Sequence, residues 1–360
     1  MNIVMAGGGT TGHIAPLIAT AEALRRLAPD SVISCVGTPA GLENSVIPAA
    51  GWPLELVDPV PWPRRINRDL VTLPWRLTKA VGQARAILRR TKADVVVGFG
   101  GYAALPVSLA ARRAKIPVVV HEANAVPGLA NRIAARFAVT TCVTFANTGL
   151  RHQVVTGLPV RAMIADLDRA ALRASARAQY GFAADTPVLL VSGGSQGAQA
   201  LNNVVMAALP GLDAAGVSVL HLTGAKNAAG LPEPGPLTTI VYRRLSYADR
   251  MDLVYAAADL MLGRAGAGTV TETAMIGLPA IFVPLPHGNG EQAKNAAGLV
   301  AAGAGQLIDQ ASLSAERLVA TVTELVATPG RLEQMGRIAA QLMPRDAAER
   351  VAQFGLEAAR

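Results

Sequence analysis

The sequence contains little cysteine, few aromatic residues and few charges. Of its 360 residues, two are cysteines, 4% are aromatic and 16% are charged. Cys35 and Cys142 are too few for a disulfide framework or a four-ligand metal site, which favours a reducing compartment such as the cytosol. Hydrophobic residues make up 51% of the chain, which excludes an intrinsically disordered composition. The length predicts two globular domains.

Long apolar runs are also missing. No charged residue precedes Glu22, but the N-terminus has no cationic leader, and Gly7–Gly9 interrupts its apolar run. A membrane-spanning helix needs about 20 apolar residues. The other weakly charged stretches, 95–111 and 273–290, contain glycine and proline. We therefore expect neither a signal peptide nor a membrane-spanning segment.

Signals for a metal or a nicotinamide cofactor are absent as well. No cluster of histidine and cysteine suggests a metal site. Gly7-x-Gly9-x-x-Gly12 fits the dinucleotide fingerprint, but nicotinamide enzymes also carry an acidic residue about 20 residues further on, at the end of the second strand. Here that predicted strand ends Cys35-Val36-Gly37-Thr38. The sequence therefore predicts no metal and no cofactor.

The positive charge is concentrated between Pro61 and Lys92. This segment holds nine basic residues and one acidic residue, so its net charge equals the +8 of the whole chain, and it includes Trp62 and Trp75. Cationic and large apolar residues together suit the headgroup layer of an anionic bilayer. Nucleic acid is the rival partner, but the low aromatic content disfavours it. A solvated helix packed on its own domain is the alternative that stays open.

Apolar runs, glycine-rich turns and helical stretches alternate along both halves of the chain. The predicted strands of the first half are 2–6, 32–36, 94–97 and 117–120, and those of the second half are 187–191, 217–222, 239–241, 259–262 and 280–283. Helices are predicted at 14–27, 198–209 and 345–355. This alternation indicates parallel sheets with helices on both faces.

Two turns share the form Gly-Gly-[Ser/Thr]-x-Gly, at 8–12 and 193–197, and each opens the first helix of its half. The pair predicts an α/β fold with two Rossmann-like domains in tandem and a cleft between them. The predicted domains are 1–160 and 161–343, with a terminal helix in 344–360 that packs back on the first. Helix-start N–H groups exposed by glycines bind phosphate or pyrophosphate, although any one such loop can be a purely structural turn.

Polar loops follow several other predicted strands. Residues 98–102 and 121–124 should emerge at the same sheet edge as His13, and two histidines near one predicted cleft favour a functional role. In the second half, Glu272 is expected on the first helical turn, where it would accept hydrogen bonds from a ribose or simply face the helix dipole. The loop 284–295 carries amide side chains that suit a sugar.

Taken together, these motifs resemble the bacterial cell-wall glycosyltransferases of the twin-Rossmann (GT-B) class nearly end to end. The motifs that carry the resemblance are Gly8–His13, Gly98–Tyr102, His121–Asn124, Gly157–Arg161, Gly193–Ala198, Arg264–Glu272 and Gln292–Asn295. The resemblance implies inverting, metal-independent transfer of GlcNAc from UDP-GlcNAc to the 4-hydroxyl of MurNAc in lipid I. The product, lipid II, would be made for peptidoglycan at the cytoplasmic face of the cell membrane by a peripheral protein.

The resemblance also implies a role for individual residues. His13 would be the general base, and the acceptor side would comprise Thr10, Thr11, Gly12, Gly100, Gly101, Tyr102, His121 and Glu122. Donor binding would fall to Asn124, Arg161, Ser195, Ala248, Ala267, Gly268, Thr269, Glu272 and Gln292, with Ser195 on the diphosphate and Glu272 on the ribose. The membrane-associating face would comprise Trp62, Leu70, Leu73, Trp75, Arg76 and Lys79. Anionic inner-leaflet lipids and wall-synthesis proteins are the expected partners, and nucleic acid is not.

Several positions depart from the family pattern, and most of them lie on the acceptor side. They are Thr11, Ala123, Leu158, Ala248 and Glu291. Two alternatives therefore stay open. One is a related UDP-sugar glycosyltransferase with another lipid or natural-product acceptor, and the other is a non-catalytic protein that binds a sugar nucleotide or a lipid pyrophosphate.

Overall fold

Parallel β-strands and helices alternate throughout the computed structural model, which describes residues 1–61, 68–194, 197–287 and 289–360. Of residues 68–71 and 229 only the backbone is described. Trp62 and Ser195 lie outside the described residues, as does the side chain of Leu70. The chain divides into two units, Met1–Arg161 together with Arg345–Arg360, and Ala162–Pro344.

The first unit is built around a parallel sheet in the order β3-β2-β1-β4-β5-β6-β7. Its strands are β1 (Asn2–Ala6), β2 (Val32–Gly37), β3 (Leu54–Leu56), β4 (Val95–Gly98), β5 (Val118–Glu122), β6 (Thr140–Val143) and β7 (Gln153–Val155). Its first five helices are α1 (Thr11–Leu27), α2 (Glu43–Ala49), α3 (Arg68–Arg90), α4 (Gly101–Arg113) and α5 (Leu129–Ala134). The valine-rich central strands are buried on both faces, as helix-covered parallel sheets require.

The second unit repeats this plan, with the strand order β10-β9-β8-β11-β12-β13. Its strands are β8 (Val188–Ser192), β9 (Ser218–Leu222), β10 (Tyr242–Leu245), β11 (Leu260–Gly263), β12 (Ala280–Phe282) and β13 (Gly305–Leu307). Its helices are α6 (Ala162–Ala165), α7 (Arg169–Tyr180), α8 (Gln199–Ala214), α9 (Met251–Ala257), α10 (Ala267–Met275), α11 (Glu291–Ala301), α12 (Ala315–Ala327) and α13 (Arg331–Leu342). Both sheets reverse their strand order beside the first strand, so the prediction of two Rossmann-like domains is confirmed.

The last helix, α14 (Ala347–Ala358), belongs to the first unit although it follows the second in the chain. Val351 and Ala352 are fully buried in one core with Ile3 and Met5 of β1 and with the apolar face of α1. An ion pair joins Arg26 of α1 to Glu349 of α14.

The predicted strand at 239–241 is wrong, because the strand in this region is Tyr242–Leu245. The carboxylate of Asp213 accepts hydrogen bonds from the backbone N–H groups of Thr238, Thr239 and Ile240 at 2.8–3.1 Å. These bonds hold the segment as a loop before the strand begins. In the described part of the chain, no helix is both long enough and apolar enough to span a membrane.

Candidate functional site

The carboxyl ends of three adjacent strands, β1, β4 and β5, bring the predicted motifs of the first unit together. Gly100 and Gly101 follow β4 with φ angles of +89° and +80°. A Cβ atom on Gly100 would lie 3.2 Å from Nε2 of His13, and one on Gly101 would collide with the carbonyl of Gly8. Glycine is therefore required at both positions for backbone conformation and for close approach.

The hydrogen bonds of His13 define its tautomer. Its Nδ1 lies 3.1 Å from the carbonyl oxygen of Gly8 and 3.3 Å from Oγ1 of Thr10. Because a carbonyl oxygen only accepts, Nδ1 carries the proton and Nε2 has the free lone pair. Burial lowers the pKa of His13 below its ordinary value of 6.5, and the Gly8 hydrogen bond and the charges of Glu122 and Glu43 oppose this shift without reversing it. The ring is therefore neutral at pH 7, with Nε2 able to accept a proton.

His121 does not emerge at the sheet edge as expected. It is the fourth residue of β5 and is fully buried, because its side chain lies between the sheet and the loop that contains Gly157. Its Nε2 donates to the Gly157 carbonyl at 3.1 Å, and its Nδ1 has no hydrogen-bond partner among the described residues. Burial lowers the pKa of His121 to about 4. These contacts give the residue a structural role.

Glu122 is also buried, and its carboxylate organises the loop that follows β5. Oε1 accepts from the backbone N–H of Asn124 at 2.9 Å. Oε2 accepts from the N–H of Gly128 at 3.0 Å and from Nδ2 of Asn131 at 2.9 Å. Asn131, which the sequence analysis missed, also donates to the backbone carbonyl of His121. Glu122 therefore shapes the Asn124 loop and contributes negative charge near His13.

The other acceptor-side residues are accessible. Thr10, Thr11 and Gly12 are exposed at the start of α1, whose first turn contains no acidic residue. Tyr102, the second residue of α4, is 50% exposed. A ligand can reach all of these positions from solvent.

In the second unit, the start of α10 lies at the carboxyl end of β11. Ala267, Gly268 and Thr269 form the first helical turn, which contains no acidic residue. Glu272 lies one turn later than expected, and its Oε2 accepts a 2.7 Å hydrogen bond from the hydroxyl of Tyr255. Its position in the second turn disfavours a simple helix-dipole role. Tyr255, in α9, was not identified from the sequence.

The loop after β12 leads to Gln292, the second residue of α11. Oε1 of Gln292 accepts from the backbone N–H of Leu285 at 2.9 Å, which leaves its amide nitrogen as the donor for a ligand. Asn295 is buried and donates to the carbonyl of Ala265, so it has a structural role between β11 and α11. Ala248 and Arg161 are half-buried, the first in the loop after β10 and the second at the end of the first unit.

A buried polar network supports the second glycine-rich turn. Nε2 of His221 contacts Oδ1 of Asn202 at 3.0 Å, and Nδ2 of Asn202 donates to the carbonyl of Thr223 at 3.0 Å. A Cβ on Gly197 would collide with that carbonyl. Burial, together with the charge of Arg244, lowers the pKa of His221 to about 4. Gly197, the last residue of this turn, therefore packs closely against a buried, hydrogen-bonded network.

The proposed membrane face is only partly exposed. Leu73 is buried against Val60 and Ala80, so it is not available to a lipid surface. Trp75 is 71% exposed, whereas Arg76 is half-buried beside the carbonyl of Pro59. Among the side chains of α3 that the structure describes, the other exposed cations are Lys79, which pairs with Asp58 at 2.7 Å, and Arg85, Arg89 and Arg90.

No group of three or more His, Cys, Asp and Glu side chains among the described residues is arranged to hold a metal ion. The sequence contains one Asp-x-Asp pair, Asp166 and Asp168. Asp168 caps the start of α7 through a 3.0 Å hydrogen bond from the N–H of Ala171.

Comparisons with known proteins identify the family. The N-terminal domain model of glycosyltransferase family 28 matches residues 3–143, and the C-terminal domain model matches residues 188–351. A Nocardioides protein named UDP-N-acetylglucosamine–N-acetylmuramyl-(pentapeptide) pyrophosphoryl-undecaprenol N-acetylglucosamine transferase is 55% identical, over 99% of this chain and 98% of its own. A protein of the same name from Mycolicibacterium smegmatis is 53% identical, over 100% of this chain and 94% of its own.

A solved structure agrees with the sequence relatives. The crystal structure of Acinetobacter baumannii MurG has a TM-score of 0.80 and 29% identity, and the match covers 99% of both chains. The chain therefore belongs to glycosyltransferase family 28, among the N-acetylglucosamine transferases that include MurG.

Proposed function

We propose that this chain transfers GlcNAc from UDP-GlcNAc to the 4-hydroxyl of MurNAc in lipid I and forms lipid II, with inversion and without a metal. The observation that carries the proposal is the neutral His13, with the lone pair of Nε2 free, in a chain related over its full length to enzymes named for this transfer.

His13 would act as the general base. The acceptor hydroxyl gives its proton to Nε2 as its oxygen attacks the anomeric carbon of GlcNAc, on the side opposite the departing UDP. An imidazole that is neutral at the working pH suits this task. Attack on the opposite side inverts the anomeric configuration.

The second unit would bind the donor. N–H groups at the start of α10 and in the 193–197 turn would stabilise the negative charge that develops on the departing diphosphate. The carboxylate of Glu272, held by Tyr255, would accept hydrogen bonds from the ribose hydroxyls. The amide nitrogen of Gln292 would contact the GlcNAc hydroxyls.

The start of α1 would face the diphosphate of lipid I. The N–H of Gly9 already donates to a carboxylate oxygen of Glu43 at 2.8 Å, so it is not available to a phosphate. The exposed residues Thr10, Thr11 and Gly12 are the part of the turn that a phosphate can reach. Acceptor recognition would therefore depend on the helix start rather than on the glycines before it.

Anionic lipids of the inner leaflet would bind α3. Trp75 and the exposed cations Lys79, Arg85 and Arg89 lie on the solvent side of this helix, whose other face packs in the core of the first unit. Trp75 and Lys79 are four residues apart, as are Arg85 and Arg89, and at about 100° per residue all four positions fall within about a third of the helix circumference. Peripheral association at the cytoplasmic face of the membrane, near other wall-synthesis proteins, would follow.

An assay of UDP release tests the function. The chain is incubated with UDP-GlcNAc in the presence and absence of a lipid I analogue, and the products are examined for the GlcNAc–MurNAc linkage. Acceptor-dependent release with formation of the disaccharide is expected. No release would indicate a binding protein, and release that depends only on another acceptor would indicate a related transferase; either result would overturn the proposal.

A further inference from the structure

A carboxylate fills the first glycine-rich turn. Glu43, the first residue of α2, is fully buried. Its Oε2 accepts from the N–H of Gly9 at 2.8 Å, and its Oε1 accepts from the N–H and hydroxyl of Thr38 at 2.9 and 2.8 Å. The side chain therefore connects the loop after β1 to the loop after β2.

Glu43 is ionised in this position. Burial alone would raise its pKa, but hydrogen bonds from Gly9, from its own backbone and from Thr38 outweigh burial and lower the pKa below its ordinary value. No ion pair with Glu43 occurs among the described residues, so N–H and O–H donors meet its charge. The turn already holds an anion that belongs to the chain.

The surrounding backbone is shaped around this side chain. A Cβ atom on Gly8, Gly37 or Gly41 would collide with Glu43. Gly8 lies in the loop after β1, Gly37 is the last residue of β2, and Gly41 lies in the loop that follows β2. The absence of side chains at these positions leaves the space that the carboxylate occupies.

A single peptide group links Glu43 to His13. The N–H of Gly9 and the carbonyl of Gly8 belong to the same peptide unit. The N–H donates to Glu43, and the carbonyl accepts from Nδ1 of His13 at 3.1 Å. Hydrogen bonds in such a chain polarise one another, so the carboxylate strengthens the carbonyl as an acceptor.

We propose that Glu43 is a positioning residue for His13 and acts through the Gly8–Gly9 peptide. It holds that peptide in place, fixes the proton of His13 on Nδ1 and increases the basicity of Nε2. The arrangement resembles a carboxylate–imidazole pair with one peptide group inserted between its members. The inference rests on the proposed function of His13 as the general base.

The test compares full-length wild type with Glu43→Gln. The glutamine has nearly the same shape, but it is neutral and has one acceptor oxygen in place of two. The His13 signals are read by NMR of ¹⁵N-histidine-labelled protein and assigned by their absence in His13→Asn. In Glu43→Gln we expect a lower pKa of His13 and a smaller fraction of the Nδ1–H tautomer.

Activity gives the second measurement. In Glu43→Gln, kcat/KM for the lipid I analogue should fall by about 10²-fold, the effect of a slightly misplaced catalytic group. The acid limb of the pH profile of kcat/KM should move to lower pH, while the KM for UDP-GlcNAc stays unchanged. Glu55→Gln removes a carboxylate of β3 that pairs with Arg90 of α3, and it should change none of these values.

Two further comparisons keep the result decisive. If Glu43→Gln does not fold, Glu43→Asp keeps the charge but is too short to reach Gly9, and it should move the tautomer in the same direction. An unchanged His13 pKa and tautomer in either folded variant would overturn the inference. The NMR measurement needs no turnover, so a wild type that lacks transferase activity would refute the proposed function and still leave the role of Glu43 testable.

Discussion

The hydroxyl of Tyr255 donates a 2.7 Å hydrogen bond to Oε2 of Glu272. Tyr255 is buried in α9, whereas Glu272 is half-buried in the second turn of α10. The bond restricts the direction in which the carboxylate of Glu272 points. Tyr255 thus holds the carboxylate of Glu272, which is proposed to contact the ribose.

Replacing Tyr255 by phenylalanine removes the hydroxyl that makes this bond and keeps the aromatic ring. We expect the KM for UDP-GlcNAc to rise about tenfold with little change in kcat, because a hydrogen bond to a charged group contributes about 1.5–3 kcal/mol. Steady-state kinetics with UDP-GlcNAc and with an analogue that lacks both ribose hydroxyls provide the measurement. Tyr180→Phe, at a buried tyrosine of the same unit, is the control. An equal loss with the analogue would show that Tyr255 does not act through the ribose.

Replacing His13 by asparagine should remove the proposed base. General acid–base catalysis contributes about 10²–10⁴-fold, so kcat should fall within that range while the affinity for UDP, measured by calorimetry, stays the same. His152→Asn changes an exposed histidine of the same unit and should retain full activity. Unaltered turnover in His13→Asn would exclude the base role.

The pH profile should report His13 as well. Only the neutral ring can accept a proton, and its pKa lies below 6.5. The acid limb of the wild-type kcat/KM should therefore be centred below pH 6.5. A decline centred above pH 6.5 would contradict the assignment. The acid limb should be missing from the residual activity of His13→Asn.

His121 should make the fold sensitive to acid. Its pKa is about 4 in the folded chain and about 6.5 when unfolded, so below pH 6.5 the unfolded state binds the extra proton. The resulting stability is complete above pH 6.5 and is lost as the pH falls towards 4. Between pH 7 and pH 5 the loss from this residue should be about 2 kcal/mol.

Urea unfolding at the two pH values measures this effect. His121→Asn should reduce the difference in unfolding free energy between pH 7 and pH 5, whereas His152→Asn should leave it as in the wild type. Equal pH dependence in wild type and His121→Asn would show that another group is responsible.

The exposed face of α3 should set membrane affinity. Each basic residue near an anionic surface contributes about 1 kcal/mol, so Arg85→Glu with Arg89→Glu should weaken binding to anionic vesicles by about 30-fold or more. Arg317→Glu with Arg337→Glu makes the same charge change at exposed positions of the second unit and is the control. Sedimentation with vesicles of increasing anionic lipid content measures both. Equal binding by the two double variants would refute the docking face.

Sequence reasoning succeeded where the signal is local. The valine runs at 95–97 and 118–120 predict central strands because such strands are buried on both faces. Short strands such as Leu54–Leu56 and Gln153–Val155 escaped, because their pairing depends on neighbours that are distant in the sequence. The same limit explains the misplaced strand at 239–241, since the carboxylate that holds this loop lies on α8.

The candidate site shows the same difference between residues with a local sequence signal and residues whose partners are distant in the sequence. His13 and Glu272 follow glycine-rich turns, a pattern that is visible in the sequence. Glu43 lies 34 residues from Gly9, and in the sequence it looks like an ordinary acidic residue at the start of a helix. The three glycines around it indicate its place only after the loops have been folded together. Tyr255 is missed for the same reason, because its partner lies on another helix.

The position of α14 in the chain has a consequence for biosynthesis. The ribosome completes the whole second unit before it makes the helix that covers one face of the first sheet. Until then, apolar side chains such as Met5 and Val97 lack their final cover. During translation this apolar surface of the first unit stays uncovered, so we expect the N-terminal part of the nascent chain to bind chaperones and to be prone to aggregation. A chain cut after Pro344 would keep the same surface uncovered permanently.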